Sequence, residues 1–336
     1  MFRKILSSGI FLAILCVGCS NSSNKVRENL SQWADAESAS PSDVVTGDAL
    51  GDFDSDSAYT YLAKQVEFGP RVPNTDAHRQ TGDWLVSELE RHGARVIEQK
   101  AQLKAFDGTI LNARNIFARI KGKNDESNQP ILLLAHWDCR PWADKDPDPE
   151  NHTKPVDGAN DGASGVAVIL EIARQLSINP TDRPIDILFV DAEDWGTDGD
   201  EDSWALGTEY FVNNLPVKGY APQAAILLDM VGGEGATFCR EYFSERSAPY
   251  LADAIWQTAK RLGHGSFFPN RMGSAILDDH VQLIKAGIPA IDIVEYHPED
   301  DQGFNPRWHT ISDNLDGISK STLQAVGSTL ITFLRQ

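Results

Sequence analysis

Three strongly apolar runs in this 336-residue chain each end in acids or histidine. His136-Trp-Asp138 follows Pro130-Ile-Leu-Leu-Leu-Ala135, Asp191-Ala-Glu-Asp194 follows Ile185-Asp-Ile-Leu-Phe-Val190, and Asp229 closes Ala224-Ala-Ile-Leu-Leu228. A further acid, Asp161, sits inside Gly158-Ala-Asn-Asp-Gly-Ala-Ser-Gly165, and Trp308-His-Thr310 comes after a polar stretch near the end. Carboxylates and imidazoles without thiolates form a donor set that suits Zn²⁺. Each residue alone has an ordinary explanation. Asp161 would cap a helix, His136 would be a hydrogen-bonded core histidine, and Asp229 would close a turn. Together they are harder to dismiss, because gathering this many carboxylates out of water is costly unless a cation compensates them.

The elements that would gather them follow from periodicity. Four continuous apolar runs, at 130–136, 185–190, 224–229 and 290–294, read as interior strands of a mainly parallel sheet. Two more strands are expected at 95–103 and 115–121, with the Asp107-Gly108 turn signal between them. Apolar residues recur at helical spacing over 58–68, 81–92, 162–176, 248–262, 279–286 and 319–334. Strands alternating with helices predict an α/β fold: one domain with a central mixed, mostly parallel sheet flanked by helices on both faces. Such sheets bind ligands beyond the carboxyl ends of their strands, where the acids and histidines fall.

The ends and the charge narrow the setting. Arg3 and Lys4 precede an apolar run at 10–15 that is too short to span a bilayer, and it ends in Cys16-Val-Gly-Cys19. That ending resembles the lipobox of bacterial lipoproteins, with Cys16 standing where Leu is usual. The expected organisation is a signal peptide over 1–18, a lipidated Cys19 with a flexible tether over 19–56 (holding one short helix near 26–33), and a catalytic domain over 57–336. Lipidation at Cys19 implies anchoring to a membrane in the periplasm or outer cell envelope. A net charge of −19 argues against nucleic acid as a partner. Once Cys16 and Cys19 are set aside, only Cys139 and Cys239 remain, which could pair or stay free.

The motifs from Phe68-Gly-Pro-Arg-Val-Pro-Asn-Thr75 to the C-terminal helix resemble those of the M28 zinc peptidases, and within them the bacterial glutaminyl cyclases of the animal-like type. The resemblance rests on Ala135-His-Trp-Asp-Cys-Arg-Pro-Trp-Ala-Asp144, on 158–165, on Asp191-Ala-Glu-Asp-Trp-Gly196, on Leu277-Asp-Asp-His280 and on Trp308-His-Thr310. It implies one zinc per chain, held by Asp161, Asp194 and His309. It also implies Glu193 as general acid/base, Asp229 and Asp278 as hydrogen-bonding acids, and Trp308 and Trp195 as walls of a substrate pocket. The implied substrates are peptides or proteins with N-terminal Gln.

Two relatives of that resemblance share most of a site. A two-zinc aminopeptidase would add His136 and Asp229 around a second metal, with Asp161 bridging. Trp308 before the last histidine, Asp278 beside Asp229, and the 140–144 and 191–195 stretches tilt toward the cyclase. Asp292 stands where animal cyclases carry His. A non-catalytic peptide-binding lipoprotein is a third reading, which the intact Glu193 disfavours.

Overall fold

The computed structural model describes residues 53–124, 129–299 and 303–336. The expected signal peptide, the lipidated Cys19, the 26–33 helix and the tether up to residue 52 lie outside the described residues. Six strands form one sheet: β1 (Arg95–Lys104), β2 (Ile110–Ile120), β3 (Ile131–His136), β4 (Ile185–Val190), β5 (Ala224–Asp229) and β6 (Ala290–Val294). Their order across the sheet is β1-β2-β4-β3-β5-β6. β4, β3, β5 and β6 run parallel, while β1 and β2 form an antiparallel hairpin whose β2 also runs antiparallel to β4. The mixed, mostly parallel sheet is the one expected.

Eight α-helices lie among the described residues: α1 (Ser55–Glu67), α2 (Asp76–Arg91), α3 (Ala163–Ile178), α4 (Leu206–Asn213), α5 (Tyr242–Ser247), α6 (Pro249–Arg261), α7 (Asp279–Lys285) and α8 (Lys320–Leu334). Alternation along the parallel strands sends side chains to two cores. Ile131, Leu133 and Ala135 of β3 join the larger core with residues of α1, α2, α3, α6 and α8. Leu132 and Leu134 turn to the other face and pack with Phe211 of α4 and Leu283 of α7. All residues of β3, β4, β5 and β6 are buried, Asp186 and Asp292 included, which is why those strands read as mainly apolar runs.

Three elements differ from expectation. β2 begins at Ile110, since its first half alternates exposed Ile110 and Asn112 with buried Leu111 and Ala113 and so lacks the apolar density of its buried second half. α4 and α5 are short, and neither carries enough apolar periodicity to stand out from a loop. The folded body also starts before residue 57. Phe53 is buried against Gly327 of α8, and the Asp54 carboxylate caps α1 through Asp56 N (2.9 Å) and Ser57 N (3.2 Å). The tether boundary at 56 is therefore too late by at least four residues, because an aromatic anchor and a cap hide inside a polar, turn-rich composition.

Cys139 and Cys239 are both free and buried, and burial pushes the Cys139 thiol up to about 12. They do not pair. No helix among the described residues is long and apolar enough to cross a membrane.

Candidate metal centre and substrate cavity

β3 ends on His136, the β4 exit carries Asp191 to Asp194, and β5 ends on Asp229, so the parallel strands deliver their acids to one rim. Asp161 reaches the same rim from the loop before α3. It is not the helix cap: Gly162 holds that position without a side-chain bond, leaving the Asp161 carboxylate available. His309 arrives from the loop before α8. Two trios result, Asp161–Asp194–His309 and His136–Asp161–Asp229, each with donor atoms within 4.8 Å of one another. His309 Nε2 lies 3.3 Å from Asp194 Oδ1 and 3.5 Å from Asp161 Oδ2, while His136 Nε2 lies 3.0 Å from Asp161 Oδ1 and 3.3 Å from Asp229 Oδ1.

The donor atoms themselves test whether a metal fits. Both carboxylate oxygens of Asp194 are buried without a hydrogen-bond donor. An ionised carboxylate in that state is costly unless a cation compensates it. Oxygen and imidazole donors grouped this closely, with one residue shared, suit zinc. The first trio is the one expected to hold it, and the second supplies the alternative two-metal arrangement.

The surrounding residues hold these donors in place. Asp138, buried below the rim, accepts Glu193 N (3.2 Å) and Asp194 N (3.3 Å), so the two acids are presented from a fixed backbone. Asp313 does the same for Asp161, accepting Asn160 N (2.8 Å) and Asp161 N (3.1 Å), and burial beside Asp161 pushes its own carboxyl up to about 7. Arg140 donates to the carbonyls of Asp194 (3.1 Å) and Gly196 (2.8 Å) and pairs with Asp144, which stands 3.6 Å from His309 Nδ1. Three residues beside the acids and the imidazole have left-handed backbone: Ala192 (φ 55°), Met230 (φ 49°) and His309 (φ 54°). Such residues cost about 1–3 kcal/mol each and persist only where neighbours over-determine them.

A cavity of about 360 Å³ opens onto the first trio. Glu193, Asp229 and Asp278 line it with Asp161, Asp194 and His309. Burial drives the Glu193 carboxyl well above the ordinary range, against the opposing pull of His136. Burial likewise raises Asp229 to about 6 and Asp278 to about 7, with each carboxylate disfavouring ionisation nearby. Asp278 also caps α7 by accepting Asp279 N at 2.5 Å. Trp308 walls the cavity as expected, its indole stacked on the His309 ring at 3.8 Å.

Trp195, expected as a second wall, is not among the residues lining this cavity. Its ring packs with the core under the β1–β2 hairpin, beside Leu103, Ala105 and Leu111, and its Nε1 donates to Asp107 at 3.3 Å. Trp204 takes the wall instead. It lies nearly parallel to His309 (15°) and over the Arg140 guanidinium at 4.8 Å. Trp204 sits alone in an acidic stretch with no apolar period, so its only signal was an aromatic residue among acids. Tyr296, Phe304, Met230, Ala275, Ile276 and Leu277 complete the apolar lining; in sequence they are ordinary loop or core residues. Asp138 stood in a motif without a role, and Asp313 carried no signal.

The family model of Peptidase family M28 matches residues 115–334. Among solved structures, the chain is similar to a glutaminyl cyclase from Porphyromonas gingivalis, with 51% identity, a TM-score of 0.81, and coverage of 84% of this chain and 98% of that one. It is also similar to a Zn-dependent exopeptidase from Parabacteroides distasonis, with 49% identity, a TM-score of 0.82, and coverage of 86% and 100%. Aminopeptidase YwaD of Bacillus subtilis is 28% identical over 264 residues, which is 77% of this chain and 52% of that protein. The chain thus spans about half the length of this curated relative.

Proposed function

This chain belongs to Peptidase family M28, and on that premise we propose that it is a zinc-dependent glutaminyl-peptide cyclotransferase, converting the N-terminal Gln of peptides to pyroglutamate with release of ammonia. The observation that carries the reading is the cavity itself: a buried acid, Glu193, faces a zinc-type trio inside a small pocket walled by Trp204, Trp308, Tyr296 and Phe304. Similarity of about half the residues to a glutaminyl cyclase over nearly that whole structure supports it.

Asp161, Asp194 and His309 would hold the zinc. When bound, the ion polarises an amide carbonyl and stabilises the charge that develops on its oxygen. The protein's own groups handle geometry and protons. The aromatic walls fold the glutaminyl side chain back on its own backbone, making attack of the α-nitrogen on the side-chain amide carbon intramolecular. They also exclude water, which would otherwise compete as nucleophile. Glu193 takes a proton from the α-nitrogen as the ring C–N bond forms. It returns that proton to the side-chain nitrogen as the old C–N bond breaks and ammonia leaves. Desolvation makes Glu193 a stronger base than an exposed carboxylate, which suits both halves of this exchange. Asp229 and Asp278, kept partly protonated by burial and neighbouring carboxylates, hydrogen-bond the departing nitrogen.

A second reading, a two-zinc aminopeptidase, is favoured by one observation: His136, Asp161 and Asp229 already stand within joint reach of a second ion. Incubation with Gln-Ala and Leu-Ala separates the two. Ammonia from Gln-Ala without free amino acid, and one zinc per chain, are expected. Release of free leucine with two zincs would replace the cyclase reading. We further propose that the protein is anchored through Cys19 in the periplasm or outer envelope, a reading supported by Gly18-Cys19 after a short apolar run. Metabolic labelling with a fatty acid, lost in Cys19→Ser, is the expected result.

A further inference from the structure

Behind the metal centre lies a carboxylate that none of the chemistry above uses. Glu295, the residue after β6, is fully buried. Its Oε2 accepts Asn160 Nδ2 at 3.0 Å, and its Oε1 accepts Asn305 Nδ2 at 2.8 Å, with His297 Nε2 at 3.2 Å. Each asparagine is committed elsewhere through its oxygen: Asn160 Oδ1 accepts Gly232 N (2.8 Å), and Asn305 Oδ1 accepts Arg307 N (2.9 Å). Asn305 O also accepts Trp308 N at 2.9 Å. One carboxylate therefore ties together three segments: the loop carrying Asp161, the exit of β5 after Asp229, and the loop carrying Trp308 and His309. Gly233 leaves the space, since a Cβ there would stand 2.2 Å from Glu295 Oε2.

We propose that Glu295 is a positioning residue that sets the register between these three segments, and so the spacing of the metal donors. The proposal rests on the metal-centre reading above. Its content is geometric. The two amide donors reach different oxygens of one side chain, Oε2 and Oε1, and a glutamine offers an acceptor at only one of those two positions. In Glu295→Gln the new NH₂ must face the NH₂ of one asparagine. Neither asparagine can flip to relieve this, because flipping would turn its NH₂ onto a backbone N–H. The conflict passes into the loop bearing Asp161 or the loop bearing His309.

The test is zinc affinity of the chelator-stripped protein, read by competition with a chromophoric chelator. Glu295→Gln is expected to bind zinc about 10–100-fold more weakly than wild type, the range for residues that orient metal donors. The double variant Glu295→Gln/Asn305→Asp restores complementarity, since the new amide can donate to the carboxylate introduced at position 305 while that group still accepts Arg307 N. It is expected to recover most of the affinity, which a merely space-filling role would not predict. Unchanged affinity in Glu295→Gln, or a loss that Asn305→Asp does not relieve, overturns the proposal. If Glu295→Gln does not fold, Asn305→Ala removes one arm only, and wild-type affinity in that variant overturns the proposal equally. A wild-type chain that takes up no zinc instead refutes the metal reading itself.

Discussion

Gly196→Ala should disable the cavity without touching a metal donor. A Cβ built at Gly196 would stand 2.0 Å from Trp204 Cδ2, with Trp204 Cε2 at 2.4 Å and Cε3 at 2.5 Å. Carbon atoms pack at roughly 3.5–4.0 Å, so the indole must retreat by about 1.5–2 Å. It cannot do so freely, being set over the Arg140 guanidinium and parallel to the His309 ring. Overpacking of this kind costs about 1–3 kcal/mol of stability. A misplacement of about 1 Å in a group that orients the substrate can cost on the order of 10²-fold in rate. We expect kcat/KM for a Gln-peptide, followed by ammonia release, to fall by about two orders of magnitude, with zinc content unchanged. Because the clash is with one side chain, the effect should be non-additive with its removal. In a Trp204→Ala background, Gly196→Ala should add little further loss. If it costs as much there as in wild type, the contact with Trp204 is not the cause and the reasoning fails.

Other consequences are as direct. Glu193→Gln should lower kcat by about 10²–10⁴-fold while Asp161, Asp194 and His309 keep their zinc; near-normal turnover with bound metal would sink Glu193 as the general base. Burial raises Asp229 to about 6, Asp278 to about 7 and Asp279 to about 8. A carboxyl with a raised folded-state value contributes its stability below the ordinary range near pH 4 and loses it as pH climbs through the raised value. The Tm of the metal-free protein should therefore fall from about pH 4.5 to about pH 8.5, and a rise across that window in chelator-treated scans would contradict the buried-acid account. Phe53→Ala should cost about 3–5 kcal/mol in denaturant unfolding, since that ring fills the surface over Gly327; a cost below about 1 kcal/mol would place Phe53 outside the folded body.

Much of the molecule was legible in one dimension because burial leaves a periodic trace. Strands β3, β4, β5 and β6 are covered on both faces, so each had to be a mainly apolar run, and the acid or histidine at the end of β3, β4 and β5 marked the rim. His136, Glu193, Asp194 and Asp229 were found that way. Asp161, Asp278, Trp308 and His309 came through motif and resemblance, and all reach the same site. Trp195 and Trp204 show the limit: both are tryptophans in polar surroundings next to the site, and nothing local says which way either ring turns. The hairpin core claims Trp195, and the Gly196 backbone leaves room only for Trp204. Phe53 was missed for the same reason, since a lone aromatic in a polar stretch becomes an anchor only when α8 offers a glycine opposite it. Composition and order along the chain thus determined which groups exist and which end of the sheet they occupy, because hydrophobic burial is periodic. Tertiary structure alone decided the left-handed turn at His309 and the Glu295 tie. Those depend on contacts between segments far apart in the chain, such as the hydrogen bond from Asn160 to Glu295, whose partners no local pattern records.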